Sequence, residues 1–237
     1  MASLDRLPHG YNGNPVTHPD GNRHHSRIRV KELSERDRRR LLMHFLELGD
    51  SDRLLRFGTV LPDEMVTRYV QRLDFVRDTV FGVFDAELAL IGVGHLAFVP
   101  CDMQPVLTAP TEKERVAEFG VSVAANARSL RIGSRLFERA AIHCRNEDID
   151  TLYMQCLATN HTMMHIARKA GMEIHRAHGE ADAYLKLAPA NPGSILQEAV
   201  QEQVATLDYT IRANTRAAAQ WLADLPSHLG AGKEEHK

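Results

Sequence analysis

The 237-residue chain has few cysteines, few aromatic residues and little net charge. Its three cysteines, Cys101, Cys144 and Cys156, are odd in number and show no CxxC spacing, which argues against a disulfide framework and favours a reducing compartment. Basic and acidic residues number 29 and 31, so no general nucleic-acid binder is indicated. No apolar run is long enough to span a membrane, and the first residues lack the apolar core of a signal peptide. We therefore expect a cytoplasmic protein that binds neither nucleic acid nor a membrane.

The first 26 residues also lack apolar periodicity. They are rich in Pro, Gly, Asn and His, which predicts a disordered N-terminal arm over residues 1–26. His9, His18, His24 and His25 lie in this arm, but their irregular spacing favours a solvated tail over a metal site. With 43% hydrophobic residues, the rest of the chain can build one sizeable core, and we predict no metal centre.

Hydrophobic periodicity predicts one domain over residues 27–187, with the element order β-α-α-β-β-β-α-β-α-β-β. After a short first strand, Ser34 and Asp37 form an approximate capping box that would begin the first helix. Residues 49–58 are predicted as a loop, and Pro62 begins the second helix.

The period then changes to that of strands. Residues 79–85 and 89–99 predict a hairpin, and residues 116–124 and 152–157 predict two further strands, each followed by a helix. Between them, residues 101–113 predict a long loop that could form a lid or wall of a site. Two final strands complete the domain.

The most informative stretch is residues 121–133, where an apolar strand runs through a tight turn into a helix. Free backbone N–H groups at such a helix start point at one position, with the helix dipole behind them, and so form a cradle for an anion. The residues of this candidate cradle are Arg128, Ser129, Arg131, Ile132, Gly133 and Ser134.

The spacing in this turn resembles the acyl-coenzyme A pyrophosphate loop of the GNAT family of N-acetyltransferases. That loop has Arg or Gln, two residues, Gly, one residue, then Gly or Ala. Arg128 and Gly133 fit the pattern, whereas Arg131 stands where the first glycine is expected. A Rossmann dinucleotide loop is the alternative interpretation. It fits poorly, because the preceding strand does not open a βαβ unit and one of three glycines is present.

The predicted element order, with the loop after the fourth strand, is also similar to the GNAT layout. Within the family, residues 51–57, the run Ala117, Glu118 and Phe119, and Asn160 with the segment after it resemble the acetyltransferase domain of bacterial protein lysine acetyltransferases. The resemblance implies a mixed α/β (α+β) fold with a central, mostly antiparallel sheet flanked by helices, here followed by a C-terminal helical extension.

The resemblance also implies a chemistry. Acetyl-CoA would be the co-substrate, and an amine on a small molecule or a protein lysine would be the acceptor. Glu118 matches the family position of the general base that removes a proton from the amine. Backbone N–H groups at Val121 or Val123 would bind the oxyanion and pantetheine. Asn160 would contact the cofactor arm, and Ala167 replaces the tyrosine that commonly protonates the leaving thiolate.

A long helix is predicted over residues 194–225, beyond the part that the resemblance covers. Its steps of four and three form a stripe that we expect to be buried on the chain's own domain, on a second copy or on another protein. The stripe consists of Val200, Val204, Leu207, Ile211, Asn214, Ala218, Trp221 and Leu225.

Three functions from different classes remain open. The first is an N-acetyltransferase that uses Glu118. The second is a degenerate domain that binds acyl-CoA as a sensor, which Arg131 and Ala167 suggest. The third is an interaction protein that acts through its C-terminal helix. The presence of Glu118 favours the first.

Overall fold

The computed structural model describes residues 28–99 and 114–223. The predicted N-terminal arm and the predicted loop at residues 101–113 lie outside these ranges. Seven strands form one sheet: β1 (Lys31–Glu32), β2 (Thr79–Phe84), β3 (Leu90–Val99), β4 (Val116–Val123), β5 (Thr151–Leu157), β6 (Glu173–Ala177) and β7 (Glu180–Lys186). Six helices accompany it: α1 (Arg38–Leu46), α2 (Asp50–Phe57), α3 (Asp63–Arg72), α4 (Ile132–Asn146), α5 (His161–Lys169) and α6 (Pro192–Ala223).

The sheet has the strand order β1-β2-β3-β4-β5-β7-β6. Every neighbouring pair is antiparallel except β4 and β5, which run parallel. The predicted mixed, mostly antiparallel sheet is thus confirmed. β4 pairs with β3 along its whole length but with β5 only from Val116 to Glu118, after which the two strands diverge.

Each face of the sheet has its own core, because successive strand side chains point to opposite faces. On one face, α4 and α5 pack over a cluster that includes Phe119, Leu136 and Leu152. On the other face, α1 and α3 cover a cluster that includes Phe45 and Val70. The open edge between β4 and β5 therefore lies in the middle of a well-packed sheet.

The loop prediction for residues 49–58 is wrong, because this segment is the helix α2. Gly49, in extended backbone, precedes its first turn, which carries Asp50 and Asp52, and these negative charges suit a helix N-terminus. Gly58 ends the helix at a φ of 73°, a left-handed conformation that glycine adopts without steric cost. The two glycines that suggested a loop are the boundaries of a helix.

The predicted C-terminal helix is confirmed as α6, and Leu225 of the predicted stripe lies outside the described residues. Of the three placements that the sequence left open for the apolar stripe, packing on the chain's own domain is not what the described residues show. Val200, Leu207 and Trp221 are exposed, and the stripe faces away from the domain. The helix instead contacts α4, β1 and the β2–β3 turn through its polar side. None of the helices in the described ranges combines the length and apolarity that crossing a membrane requires.

Candidate active site

Glu118 lies at the point where β4 and β5 separate. It is the last residue of β4 that pairs with β5, in register with Tyr153, and on its other side it pairs with Ala97 of β3. Its side chain is exposed. Beyond it, the β5-facing edge of β4 has no strand partner, which leaves backbone groups around Val121 and Val123 free to pair with an extended ligand.

A hydrogen-bonded polar chain lies on the Glu118 face of the sheet. The Arg56 guanidinium donates to the Tyr69 hydroxyl at 2.9 Å, and this hydroxyl lies 3.0 Å from His95 Nδ1. His95 Nε2 in turn lies 3.2 Å from a carboxylate oxygen of Asp78, an ion-pair distance without hydrogen-bond geometry.

Arg56 reaches this chain because Gly120 has no side chain. A Cβ at Gly120 would lie 2.8 Å from the guanidinium carbon of Arg56, so any larger residue would displace it. The guanidinium also packs over the rings of Phe57 and Tyr69, at 5.1 and 5.7 Å. Burial is the main cause that raises the pKa of Tyr69, which therefore stays a neutral hydroxyl.

The polar chain borders a cavity of about 370 Å³ on the same face of the sheet. Six of its lining residues are Leu61, Met65, Arg68, Tyr69, Asp78 and His95. His95 pairs with Gly120, two positions along β4 from Glu118, so the cavity adjoins the end of the paired segment. Its mixed apolar and charged lining suits the side chain of a polar substrate.

An aromatic and acidic group lies on the β5 side of Glu118. The Tyr153 hydroxyl donates to Asp182 at 2.6 Å, and the ring centroids of Tyr153 and Tyr184 are 5.0 Å apart. Burial raises the pKa of both tyrosines, that of Tyr184 to about 12, and the negative charge of Asp182 adds to the effect. The Tyr184 hydroxyl is buried and has no hydrogen-bond partner among the described residues. Neutral phenols beside carboxylates form a suitable surface for a cation.

The candidate anion cradle lies at the start of α4, and the predicted turn from a strand into a helix is present there. The loop before α4 turns through Ser129 and Arg131, whose φ angles are 66° and 62°. The helix start approaches β3 closely, since a Cβ at Gly92 would lie 2.4 Å from a methyl carbon of Ile132. Gly133 and Ser134 follow in the first turn of α4, where backbone N–H groups have no helical acceptor.

Arg131 adopts the backbone conformation that the glycine of the GNAT pattern would favour. A left-handed residue with a side chain costs roughly 1 to 2 kcal/mol relative to glycine. The substitution therefore preserves the path of the loop and adds a positive charge at the helix start. The remaining cation of the loop, Arg128, forms an ion pair with Asp52 of α2.

Asn160 follows the C-terminal end of β5 and caps α5. Its side-chain oxygen accepts a hydrogen bond from the Met163 N–H at 3.1 Å. Ala167 is buried in α5, so no hydroxyl takes the family tyrosine position. Within the described residues, no group of three or more His, Cys, Asp and Glu side chains could hold a metal ion.

The sequence analysis did not identify Arg56, His95, Tyr184 or Asp182 as candidate site residues. For His95 and Tyr184 the missing signal is strand register, because His95 pairs with Gly120 of β4, and Tyr153 pairs with both Glu118 and Tyr184. Arg56 lies on α2, and its place beside Gly120 depends on how that helix packs on β4.

The fold is similar to those of known proteins. The GNAT domain of PAT from S. lividans superposes with a TM-score of 0.56 at 22% sequence identity, over 68% of this chain and 90% of that one. NAA60 from Arabidopsis thaliana, solved with a bisubstrate analogue, gives 0.53 at 12% identity, over 69% and 100%. The putative acetyltransferase yncA from Salmonella typhimurium, solved with acetyl-CoA, gives 0.51 at 9% identity, over 70% and 97%.

At these low identities, the superpositions show a shared fold and nothing more. No curated protein sequence matches the chain. The family model described as the acetyltransferase (GNAT) family matches residues 49–172, which is more than half of the 237 residues. The chain therefore belongs to the GNAT family of acetyltransferases.

Proposed function

We propose that this acetyl-CoA-dependent enzyme acetylates a primary amine, with Glu118 as the general base. The observation that carries the proposal is the position of Glu118 at the divergence of β4 and β5, between the cradle at α4 and the cavity beside His95. A carboxylate there can reach a nucleophile that enters from the cavity side. The acceptor is a small-molecule amine or a protein lysine.

The residues of the chain fit a bound acyl-CoA. Backbone N–H groups of residues 128–134, at and just before the start of α4, would donate to the pyrophosphate. The Ser134 hydroxyl and the Arg131 guanidinium would add further donors. The unpaired edge of β4 at Val121 and Val123 offers amide groups to pantetheine, and Asn160 lies where the cofactor arm would pass. When bound, the co-substrate supplies an activated thioester.

Conversion of an alkylammonium into an amide removes two protons from the nitrogen. The alkylammonium, with a pKa near 10, is not nucleophilic, so Glu118 takes the first proton directly or through water. The nitrogen then attacks the thioester carbonyl carbon, and a β4 backbone N–H stabilises the oxyanion. The nitrogen of the tetrahedral intermediate loses its second proton to solvent, and the oxyanion re-forms a carbonyl as the C–S bond breaks. A thiol with a pKa near 8.5 leaves as the thiolate and takes its proton from solvent, which compensates for Ala167.

The surroundings of Glu118 favour a cationic acceptor. Asp182 contributes a second carboxylate on β7, two strands from β4, and Tyr153 of β5 and Tyr184 of β7 contribute aromatic rings beside it. A protonated amine would bind in this group before it loses its proton. The cysteine pattern also leads us to propose a cytoplasmic location, since Cys144 is buried and unpaired.

The test replaces Glu118 by Gln and compares it with Glu173→Gln, which removes an exposed carboxylate from β6. Turnover of any accepted amine should fall by a factor on the order of 10² in Glu118→Gln, while coenzyme A affinity changes by less than about twofold. Thiol release measures turnover, and calorimetry measures affinity. Full activity of Glu118→Gln would assign proton removal to another group.

A second candidate is a domain that binds acyl-CoA without turnover. The strained Arg131 in the cradle and Ala167 at the acid position favour it. This function predicts coenzyme A binding by the wild type together with no thiol release on a broad panel of amines and lysine peptides. Turnover of any such amine that depends on Glu118 excludes it.

A further inference from the structure

Helix α6 has two stripes on opposite sides. The first contacts the domain and recurs at steps of four and three through residues 198, 202, 205, 209, 212 and 216. The second is the apolar stripe of Val200, Val204, Leu207, Ile211, Asn214, Ala218 and Trp221, which we call the outer stripe. At 100° per residue the centres of the two stripes are roughly 170° apart.

The first stripe, which we call the inner stripe, attaches α6 to the domain largely through charged side chains. Glu198 and Glu202 pair with Arg139 of α4 at 2.5 and 3.4 Å, although Arg139 is only 3% exposed. The Tyr209 ring packs on Phe84 with centroids 4.9 Å apart. Arg212 and Arg216 donate to backbone carbonyls of the β2–β3 turn, the former at 2.7 Å to Asp85.

The outer side of α6 carries no charge. Over residues 197–223, all of which the structure describes, the charged side chains are Glu198, Glu202, Asp208, Arg212 and Arg216. Each of them has a partner in the inner attachment or next to it, and Asp208 pairs with Arg29 at 3.2 Å and with Arg212 at 2.7 Å. A helix side that faces water normally carries charged residues.

The outer stripe is strongly exposed in the described structure. Val200, Val204, Leu207, Ile211 and Trp221 are 42 to 66% exposed. A contiguous apolar surface of this kind on a helix is a mark of an interaction site. Because the domain itself packs on the inner stripe, the outer stripe needs a partner from elsewhere.

The two terminal segments of the printed sequence offer little to cover it. The fourteen residues after Ala223 contribute Leu225 and Leu229 as their large apolar side chains and end in a charged run. The 27 residues before Ile28 are rich in Pro, Gly, Asn and His. Neither segment carries an apolar repeat that matches a stripe of seven positions.

A lipid surface is also a poor match. Amphipathic helices that lie in a membrane interface carry Lys and Arg beside the apolar face. The flanks of the outer stripe are uncharged instead, with Gln201, Gln203, Thr210 and Thr215. The polar side of α6, which would face water at a membrane, is already packed on the domain.

We propose that the outer stripe is the homodimer interface of this protein, in which α6 packs against α6 of a second copy. Steps of four and three over three heptads are the repeat of a two-helix seam, and Asn214 would be its one polar core position. A charge-free surface meets its own copy without like-charge repulsion. The uncharged side is about 40 Å long, and half of the circumference of a helix is roughly 15 to 20 Å. Its area is therefore about 600 to 800 Å² per copy, which approaches the 800 Å² per partner of a standard interface.

The test introduces charge into the seam of the full chain. Sedimentation equilibrium at about 10 to 50 μM should give wild type at twice the 26.6 kDa chain mass and the double variant Leu207→Glu/Ile211→Glu at the chain mass. Because both positions are exposed and make no contact with the domain, the variant should keep its helix content. Circular dichroism and coenzyme A binding check that it is folded.

The matched control is Ala199→Glu/Gln220→Glu, which adds the same two charges to exposed positions of α6 away from the outer stripe. It should remain dimeric. A monomeric wild type overturns the proposal, as does wild type that is monomeric alone but sediments with anionic phospholipid vesicles. A folded Leu207→Glu/Ile211→Glu variant that is still dimeric overturns it too, because the interface would then lie elsewhere.

Discussion

Arg128 and Asp52 form an ion pair that joins the loop before α4 to the first turn of α2. The pair places a carboxylate beside the candidate anion cradle. It also neutralises Arg128, one of the two cationic residues of the loop, the other being Arg131. A bound pyrophosphate would compete with Asp52 for Arg128. This relationship makes α2, which the sequence analysis predicted as a loop, part of the proposed cofactor site.

The first prediction concerns that competition. Asp52→Asn should strengthen coenzyme A binding about two- to fivefold at low ionic strength, because it releases Arg128 and removes a negative charge near the cradle. Asp50→Asn, in the same turn of α2, is the control and should have a smaller effect. Calorimetry measures both. Weaker binding by Asp52→Asn would show that Asp52 instead holds Arg128 in its binding position.

The second prediction separates backbone strain from charge at Arg131. Arg131→Gly relieves the left-handed strain, whereas Arg131→Ala retains it, and both variants remove the same charge. The free energy of unfolding should be about 1 kcal/mol higher for the glycine variant than for the alanine variant. Their coenzyme A affinities, compared with that of wild type, report the contribution of the guanidinium. Equal stability of the two variants would contradict the strain argument.

The third prediction concerns pH and His44, which is buried in α1. Its Nδ1 donates to the Leu90 carbonyl at 2.9 Å, and its Nε2 accepts from the Ser122 hydroxyl at 2.8 Å, so the ring is neutral. Burial lowers the pKa of His44 from 6.5 to about 4. Between about pH 6.5 and pH 4, His44 binds a proton in the unfolded chain but not in the folded chain. The free energy of unfolding should therefore fall with decreasing pH, by up to about 1.4 kcal/mol per pH unit from this residue.

Urea denaturation of wild type and His44→Gln between pH 7 and 4 tests this expectation. The variant should be less stable at pH 7 and should show a shallower loss toward pH 4. Glu198 does not interfere, because burial opposes ionisation but hydrogen bonds from His143, Arg139 and Asn146 lower the pKa of Glu198 to about 2. The contribution of Glu198 to the free energy of unfolding is complete above about pH 4.5 and is lost as the pH falls from there towards about 2. Parallel pH profiles for the two proteins would contradict the assignment to His44.

The sequence was sufficient for the sheet and for the start of α4, because both depend on local signals. Apolar, β-rich runs of residues predicted β2, β3 and β4. The anion cradle followed from chain order, since a turn between a strand and a helix has a fixed geometry. The position of Glu118 at the divergence needed the additional observation that β4 and β5 pair over three residues.

Features that depend on distant charge pairs were not predictable in this way. Glu198 and Glu202 have the spacing of a solvated helix face, and only the buried Arg139 of α4 reveals that they face inward. The same holds for Arg56, whose place over Gly120 depends on packing between α2 and β4. Apolar periodicity identifies a face that avoids water, but it does not identify which neighbour covers it.

The two sides of α6 should respond differently to salt. Part of the inner attachment consists of half-exposed ion pairs such as Arg29 with Asp208, which mobile ions screen. The outer stripe is apolar, and sulfate or phosphate strengthens the burial of such surfaces. High ionic strength therefore loosens the hold of α6 on its own domain while it favours contact between the outer stripes. A change in salt concentration thus acts on the two sides of the same helix in opposite directions.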